Sequence, residues 1–379
     1  MLKNIKQDIK NIILLLFIVG ILSLIIYISV YSSKEYTKNV NLDIETYNYK
    51  KSEYVNKHES IKINSEIPIN DYIVDLKFDG NKLIAISNSI YENKSEIKIY
   101  EIDPDDNTID NIKSLSEDYD IVYNTGSISP SRDLIVYDTL DYKNTDKKQD
   151  VSSIIYNMED NSKINLGYYF ELLRWLPDSS GFYGIRKGQL FEYSIDEGKV
   201  IKTYNLKNQG YISKIEFSQD ATKMYTMSVP KSEICIYNLN DNTTKSMSDI
   251  KYIYDFEVID DQHLIVEGIN DSEKHLYLYN LENGTKEIIK GIHLDEMHLS
   301  RDKSKLITVY YTGNNESTID VYDINSYNKK VDFSKLGTIP MIKGIPYVDI
   351  SDGNKLAYSI QGDSYDESKI YVYDIINKK

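Results

Sequence analysis

Residues 216–241 read EFSQDATKMYTMSVPKSEICIYNLND. Hydrophobic and polar residues alternate on both sides of a polar turn at Ser218–Thr222, which is a hairpin signal. A third alternating run follows from Glu233 to Tyr237 and leads into an aliphatic residue and a second polar turn. The stretch therefore reads as three successive antiparallel strands, with period-2 patterning and no helical period.

The pattern recurs along the chain. The strand that ends in Tyr appears as EIKIYEID at Tyr100, SSIIYNMED at Tyr156, QLFEYSIDEG at Tyr193, HLYLYNLENG at Tyr279, TIDVYDINS at Tyr322 and KIYVYDIIN at Tyr373. A hairpin precedes each copy: LKFDGNKLIAIS from Leu76, ISPSRDLIVYDT from Ile128, RWLPDSSGFYGI from Arg174, EVIDDQHLIVEG from Glu257, HLSRDKSKLITVYY from His298 and DISDGNKLAYSI from Asp349. Successive tyrosines lie 45.5 residues apart on average, the length of a unit of four short strands. Seven units, each with strands A, B, C and a short D, predict an all-β fold over 59–379, a seven-bladed β-propeller. The last unit stops after strand C. The orphan run Ser60–Ile67 upstream is expected to supply the missing strand and close the ring, which removes exposed edges.

The hairpin element resembles the repeat of TolB-type propellers and of the propeller domains of prolyl-oligopeptidase-like proteins, roughly Ser-Pro-Asp-Gly-Lys before an aliphatic strand. Ser129-Pro130, Leu176-Pro177-Asp178, Ser218-Gln219-Asp220, Ser300-Arg301-Asp302 and Ser351-Asp352-Gly353 match it in part. Blade 2 has Ser131 in place of Asp, and blade 5 has Ile259 in place of Ser. The resemblance implies the fold over about 71–379 and says little of function, because propellers host many activities. Trp175 sits where that repeat often carries Trp, which implies a packing role.

Upstream, Ile12–Val30 is an uncharged apolar run, IILLLFIVGILSLIIYISV. As a helix it spans roughly 28 Å, the thickness of a bilayer's hydrocarbon core. No small-residue cleavage site follows it, so an uncleaved single-pass anchor is expected at 12–31. Lys3, Lys6 and Lys10 precede it, which favours a cytoplasmic N-terminus over 1–11 and an extracytoplasmic propeller. Residues 32–58 are polar and aperiodic and read as a stalk.

The net charge of −15 argues against nucleic acid as a partner, since that needs a cationic surface. It would tolerate cationic ligands or Ca²⁺. The run Asp103, Asp105, Asp106, Asp110 lacks the Gly and Glu of a Ca²⁺ loop and reads as a turn, as do Asp79, Asp178, Asp220, Asp302 and Asp352. The single cysteine, Cys235, excludes a disulfide within the chain and reads as a packed strand residue. His58 falls in the stalk, and His263, His275, His293 and His298 fit no ligand spacing. No nucleophile elbow, phosphate loop or zinc-protease motif is present, and no cofactor is expected.

One asymmetry points to a binding face. From the start of strand B to the strand C Tyr, blades 1, 2, 6 and 7 span 17, 22, 16 and 17 residues, against 11 to 15 in blades 3 to 5. The intervening segments SNSIYENKS, DYKNTDKKQD, YTGNNES and QGDSYDES read as four long B–C loops on contiguous blades. Their polar, tyrosine-bearing composition is that of adaptable binding loops. It makes Tyr91, Glu92, Asp141, Tyr142, Asn314, Asn315, Tyr365 and Asp366 candidate ligand contacts. The expectation is a membrane-anchored, non-enzymatic module that binds a protein or a cell-surface ligand. The alternative is a propeller enzyme, of lactonase or glycan-active type, with acids in its central channel. A sensor is disfavoured by the short segment ahead of the apolar run.

Overall fold

The computed structural model describes residues 61–379, apart from 92–93, 118–119, 132, 141–150, 177, 206–210, 219, 230–231, 242, 248–249, 271–272, 314, 328–329, 352–354, 362–366 and 377–379. The predicted anchor and stalk lie outside the described residues. Among the described residues, no helix is long and apolar enough to cross a membrane.

Twenty-eight strands form seven four-stranded antiparallel sheets. After β1 (Ile61–Ile69), blade 1 holds β2–β5 (Ile73–Asp79, Lys82–Tyr91, Lys94–Asp103, Thr108–Glu117). Blade 2 holds β6–β9 (Asp120–Ile128, Leu134–Leu140, Val151–Asn157, Lys163–Asn165), and blade 3 holds β10–β13 (Leu172–Trp175, Gly181–Arg186, Gln189–Ser194, Lys199–Asn205). Blade 4 holds β14–β17 (Tyr211–Phe217, Lys223–Val229, Glu233–Asn238, Thr244–Met247), and blade 5 holds β18–β21 (Lys251–Val258, His263–Asn270, Glu273–Asn280, Lys286–Ile289). Blade 6 holds β22–β25 (Glu296–Leu299, Lys305–Gly313, Glu316–Tyr327, Lys330–Lys343). Blade 7 holds β26–β28 (Tyr347–Ile350, Lys355–Gln361, Ser368–Ile375), and its fourth strand is β1, antiparallel to β28 from Ile61↔Ile375 to Ile69↔Ser368. The orphan run therefore closes the ring, two residues beyond its expected end.

Burial follows position in the blade. Second strands are sandwiched between neighbouring blades and are buried almost throughout, as in β11, β15 and β27. This explains their near-continuous apolar runs. Outer strands such as β9 and β21 are exposed. The apolar residues gather in seven clusters, one at each blade–blade interface. At the closure, Ile67, Ile69, Ile370 and Val372 of blade 7 pack with Ile73, Leu76, Leu83 and Tyr100 of blade 1.

The repeated tyrosine is interface packing. Tyr100, Tyr156, Tyr193, Tyr237, Tyr279 and Tyr322 are all buried, and Tyr193 stacks on Phe182 with ring centroids 4.9 Å apart. Trp175 is also buried, edge-on to Phe182, as its packing role required. Cys235 is buried among the blade 3–blade 4 residues. The turn acids cap their own turns: Asp178, Asp220 and Asp302 accept backbone N–H bonds from Ser180, Thr222 and Ser304 at 3.1, 3.0 and 3.0 Å. Such caps stabilise local turns without a ligand.

Candidate functional site

First strands of neighbouring blades lie side by side, which sets the seven of them around a common axis. Alternation along these strands turns one residue in two toward that axis. Ladder register aligns Lys77, Arg174, Glu216, Glu257, His298 and Asp349 as one ring of positions, with Ser127 as the blade 2 equivalent. One level higher stand Asp75, Lys214, Asp255, Glu296 and Tyr347. The channel is thus lined by charge.

Much of that charge is paired across blades. Arg174 Nη2 lies 3.0 Å from Glu216. Lys214 Nζ lies 2.8 Å from Asp255 and 2.9 Å from Glu257. Burial works against the Lys214 ammonium, but Glu257 and Asp255 outweigh it and hold its pKa above the ordinary lysine value. Asp349 differs. Burial pushes its carboxyl up to about 6, opposed by the Phe78 N–H that donates to it at 2.5 Å. Burial, with Arg174 second, lowers the nearby Lys77 ammonium.

The two ends of the channel are unlike. In an antiparallel meander the D–A and B–C connections share one face, here called the upper face, and the A–B and C–D turns share the lower. The lower face is built of turns capped by Asp and Asn. A shallow depression of about 340 Å³ there, lined by Asp260, Asp261, Gln262, His263, Ser326, Lys330 and Val331, holds no free imidazole. His263 Nδ1 lies 3.0 Å from Asp260, and its Nε2 lies 3.2 Å from Asn280. Ile61 and Ile375, at the two ends of the described ring, also lie at this face.

The upper face carries the tyrosines. Among the described residues, the exposed ones are Tyr169, Tyr211, Tyr252, Tyr254, Tyr311 and Tyr347, and all six sit at D–A connections, strand A starts or strand B ends. Exposed Val229 and Ile345 adjoin them. Five of the six occupy blades 4 to 7. Tyr252 and Tyr254 each interrupt the β18–β19 ladder, which passes from Lys251↔Ile269 to Ile253↔Gly268 to Asp255↔Glu267. Two bulges in succession therefore turn both rings outward. Tyr252 holds a φ of 48°, a left-handed conformation that costs an aromatic residue on the order of 1 kcal/mol. Tyr311 donates its hydroxyl to Glu296. Burial and neighbouring Tyr72 push the Tyr347 hydroxyl up to about 12.

The predicted loop residues divide. Glu92, Asp141, Tyr142, Asn314, Tyr365 and Asp366 lie outside the described residues. In blades 1 and 6 the long interval is strand and not loop: the ladders run to Tyr91↔Lys94 and Gly313↔Glu316, leaving two residues between strands. The spacing is long there because those hairpins are tall. Tyr91 thus ends β3. Asn315 occupies the turn with a φ of 60°, and its carbonyl accepts from the Gly344 N–H at 2.8 Å. The structure brings together the channel ring and the tyrosine arc, neither of which the loop spacing revealed. Aligning the seven hairpins would have found the ring, as the residue one strand position before the apolar Phe78, Ile128, Trp175, Phe217, Val258, Leu299 or Ile350 that leads into each A–B turn. The histidines stay apart, and among the described residues no group of three or more His, Cys, Asp or Glu could hold a metal ion.

No protein-family model matches the sequence, and no curated protein matches it. Solved structures do. A chain of a mitotic checkpoint complex is similar at 14% identity and a TM-score of 0.54, over 85% of this chain and 95% of that one. The propeller domain of the trilobed protease from Pyrococcus furiosus, described as having an open velcro topology, is similar at 13% identity and a TM-score of 0.51, over 76% and 89%. At such identities the likeness speaks for architecture alone. Sheet order, interface clusters and these likenesses agree that the chain is a seven-bladed β-propeller.

Proposed function

We propose that this propeller is a membrane-anchored, extracytoplasmic binding module whose ligand-binding surface is the upper face. One observation carries the reading: every exposed tyrosine among the described residues lies on that face. Tyrosine supplies large, amphipathic contact area at low entropic cost, which suits recognition surfaces. Strands β7 and β27 end, and β8 and β28 begin, at this same face. The anchor at Ile12–Val30 rests on its length and lack of charge. Strand β1 begins at the lower face.

The test places a photo-cross-linking residue at Tyr252 or at Asp160 of the lower face, in the full chain in its native membranes. A discrete adduct from position 252 and none from 160 is expected; an adduct from 160 alone, or from neither, overturns the reading. Alkaline carbonate extraction tests the anchor, and release of the full chain into the supernatant would refute it.

A second reading, an enzyme acting on lactones or glycans in the channel, is favoured by Asp349. A carboxyl titrating at about 6 beside an amine held low is the kind of perturbed pair found at catalytic sites. Hydrolysis lost in Asp349→Asn with no fall in melting temperature would support it.

A further inference from the structure

At the lower face, the residue that starts each second strand faces a ladder partner on the third strand. In blades 6 and 7 the two positions hold a lysine and an aspartate. Lys305 is in register with Asp323 and Lys355 with Asp374, and each ammonium lies 2.8 or 3.2 Å from its carboxylate. Blade 2 carries Leu134 and Asn157 at these positions. Blade 5 carries His263 and Asn280, so a titratable ring stands where two other blades keep a permanent ion pair.

His263 is buried and partnered at both ring nitrogens. Nδ1 lies 3.0 Å from each carboxylate oxygen of Asp260, and Nε2 lies 3.2 Å from Asn280 Nδ2. The surroundings fix which atoms carry protons. Asn280 Oδ1 accepts the backbone N–H groups of Glu282 and Asn283 at 2.9 and 3.1 Å, so turning the amide round would set donors against donors. Asn280 Nδ2 therefore donates to Nε2, which carries no proton. The ring proton sits on Nδ1 and is donated to Asp260. The joint as built requires a neutral imidazole.

A second proton disturbs only one side of it. Asp260 favours an imidazolium and is held by the Gln262 and His263 N–H groups at 2.7 and 2.8 Å. Asn280 opposes it, because a protonated Nε2 would face an amide nitrogen with two donors buried together. The charged groups lining the two depressions beside the ring are Asp260 and Asp261 from its own turn, Glu282 from the β20–β21 turn, Lys330 from blade 6 and Lys223 from blade 4. Among these side-chain types, histidine is the one that ordinarily changes charge between about pH 5 and 8. We propose that His263 is a proton-sensitive joint of the lower face. Protonation parts it from Asn280 and loosens the β20–β21 turn that Asn280 caps, leaving backbone bonds such as Leu281 N–H to the Gln262 carbonyl at 2.7 Å. The Lys–Asp pairs of blades 6 and 7 stay charged across that window.

The experiment follows hydrogen–deuterium exchange of the detergent-solubilised full chain by mass spectrometry, corrected for the pH dependence of intrinsic exchange. Protection of segment 280–285 should fall about fivefold between about pH 7.5 and about pH 5.5. Segment 157–162 is the control, since Asn157 caps the same turn in blade 2 opposite Leu134, and its protection should hold. His263→Lys/Asn280→Asp, which installs the pair of blades 6 and 7, should abolish the pH response of 280–285. His263→Leu, the arrangement of blade 2, should abolish it as well and serves if the double variant does not fold, with melting temperatures showing which variants are folded. An equal response in the two segments overturns the proposal. So does a response in 280–285 that survives replacement of His263, which would assign it to the surrounding carboxylates.

Discussion

Lys355, at the start of β27 in blade 7, reaches across the ring closure to Asp105 in the C–D turn of blade 1. The same ammonium lies 3.2 Å from Asp374 on β28. Asn64 of the closing strand donates to both carboxylates, at 3.2 and 3.0 Å. First strand, last blade and first blade thus meet in one polar knot. Lys305 pairs with Asp323 at 2.8 Å at the equivalent place in blade 6, a pair within one blade.

Replacing Lys355 by Met should therefore destabilise the ring. The lysine is mostly buried but both acids are about half exposed, so solvent screening limits the loss to about 1–2 kcal/mol. Lys355→Arg should keep most of it. Urea denaturation of the three proteins measures the difference.

The closing strand has one buried face and one exposed. Ile67 is 2% exposed and packs into the blade 7–blade 1 cluster, whereas Ile63 is 49% exposed. Ile67→Ala should cost about 2–4 kcal/mol. Ile63→Ala should stay within about 0.5 kcal/mol. Equal effects in equilibrium unfolding would contradict the observed register.

Asp349 gives the fold a pH dependence of unusual sign. Its carboxyl titrates at about 6 in the folded protein and near 3.8 in an ordinary setting. Between those values the folded state holds a proton that the unfolded state has lost, so stability falls as pH rises across that window and then levels off. Asp349→Asn removes the effect and still offers Phe78 an acceptor. The variant should be more stable than the parent above pH 6, by up to about 3 kcal/mol, and the gain should shrink toward pH 4. Thermal melts across that range test the sign.

In the channel, Lys214 holds Asp255 and Glu257 together. Its raised pKa means this contribution is complete below the ordinary lysine value of 10.5 and lost as pH climbs through the folded value. Lys214→Met leaves two neighbouring carboxylates without that cation and should cost about 3 kcal/mol at neutral pH. Lys214→Arg should recover much of it. Chemical denaturation at neutral pH is the measurement.

How much of this the sequence disclosed depends on which strand is asked. Second and third strands were legible because burial on both sides writes long apolar runs, as in Met224–Val229 and Ile234–Tyr237. The closing strand was legible because Ile61, Ile63 and Ile67 alternate with polar residues ahead of a unit that lacks its last strand. Outer strands were faint, since Lys163–Asn165 is wholly exposed and buries nothing that would leave a pattern. Interval length misled in blades 1 and 6, because a tall hairpin and a long loop occupy the same number of residues. The channel ring hid for another reason: Lys77, Glu216 and Asp349 look like the polar half of any alternating strand until the seven copies are superposed. The bulges that expose Tyr252 and Tyr254 depend on ladder register, which one strand alone does not encode.

Ring closure also sets an order of events during synthesis. Asn64 and Asp374 are 310 residues apart, so β1 leaves the ribosome first and meets β28 only when the last blade has been made. Until then β1 is an unpaired strand, and the growing array ends in an open edge that invites pairing with other chains. Blades 1 to 6 can assemble in turn as each neighbour arrives, but the seventh must wait for its oldest strand. Translation pauses or premature termination late in the chain would leave the nascent protein most exposed to aggregation.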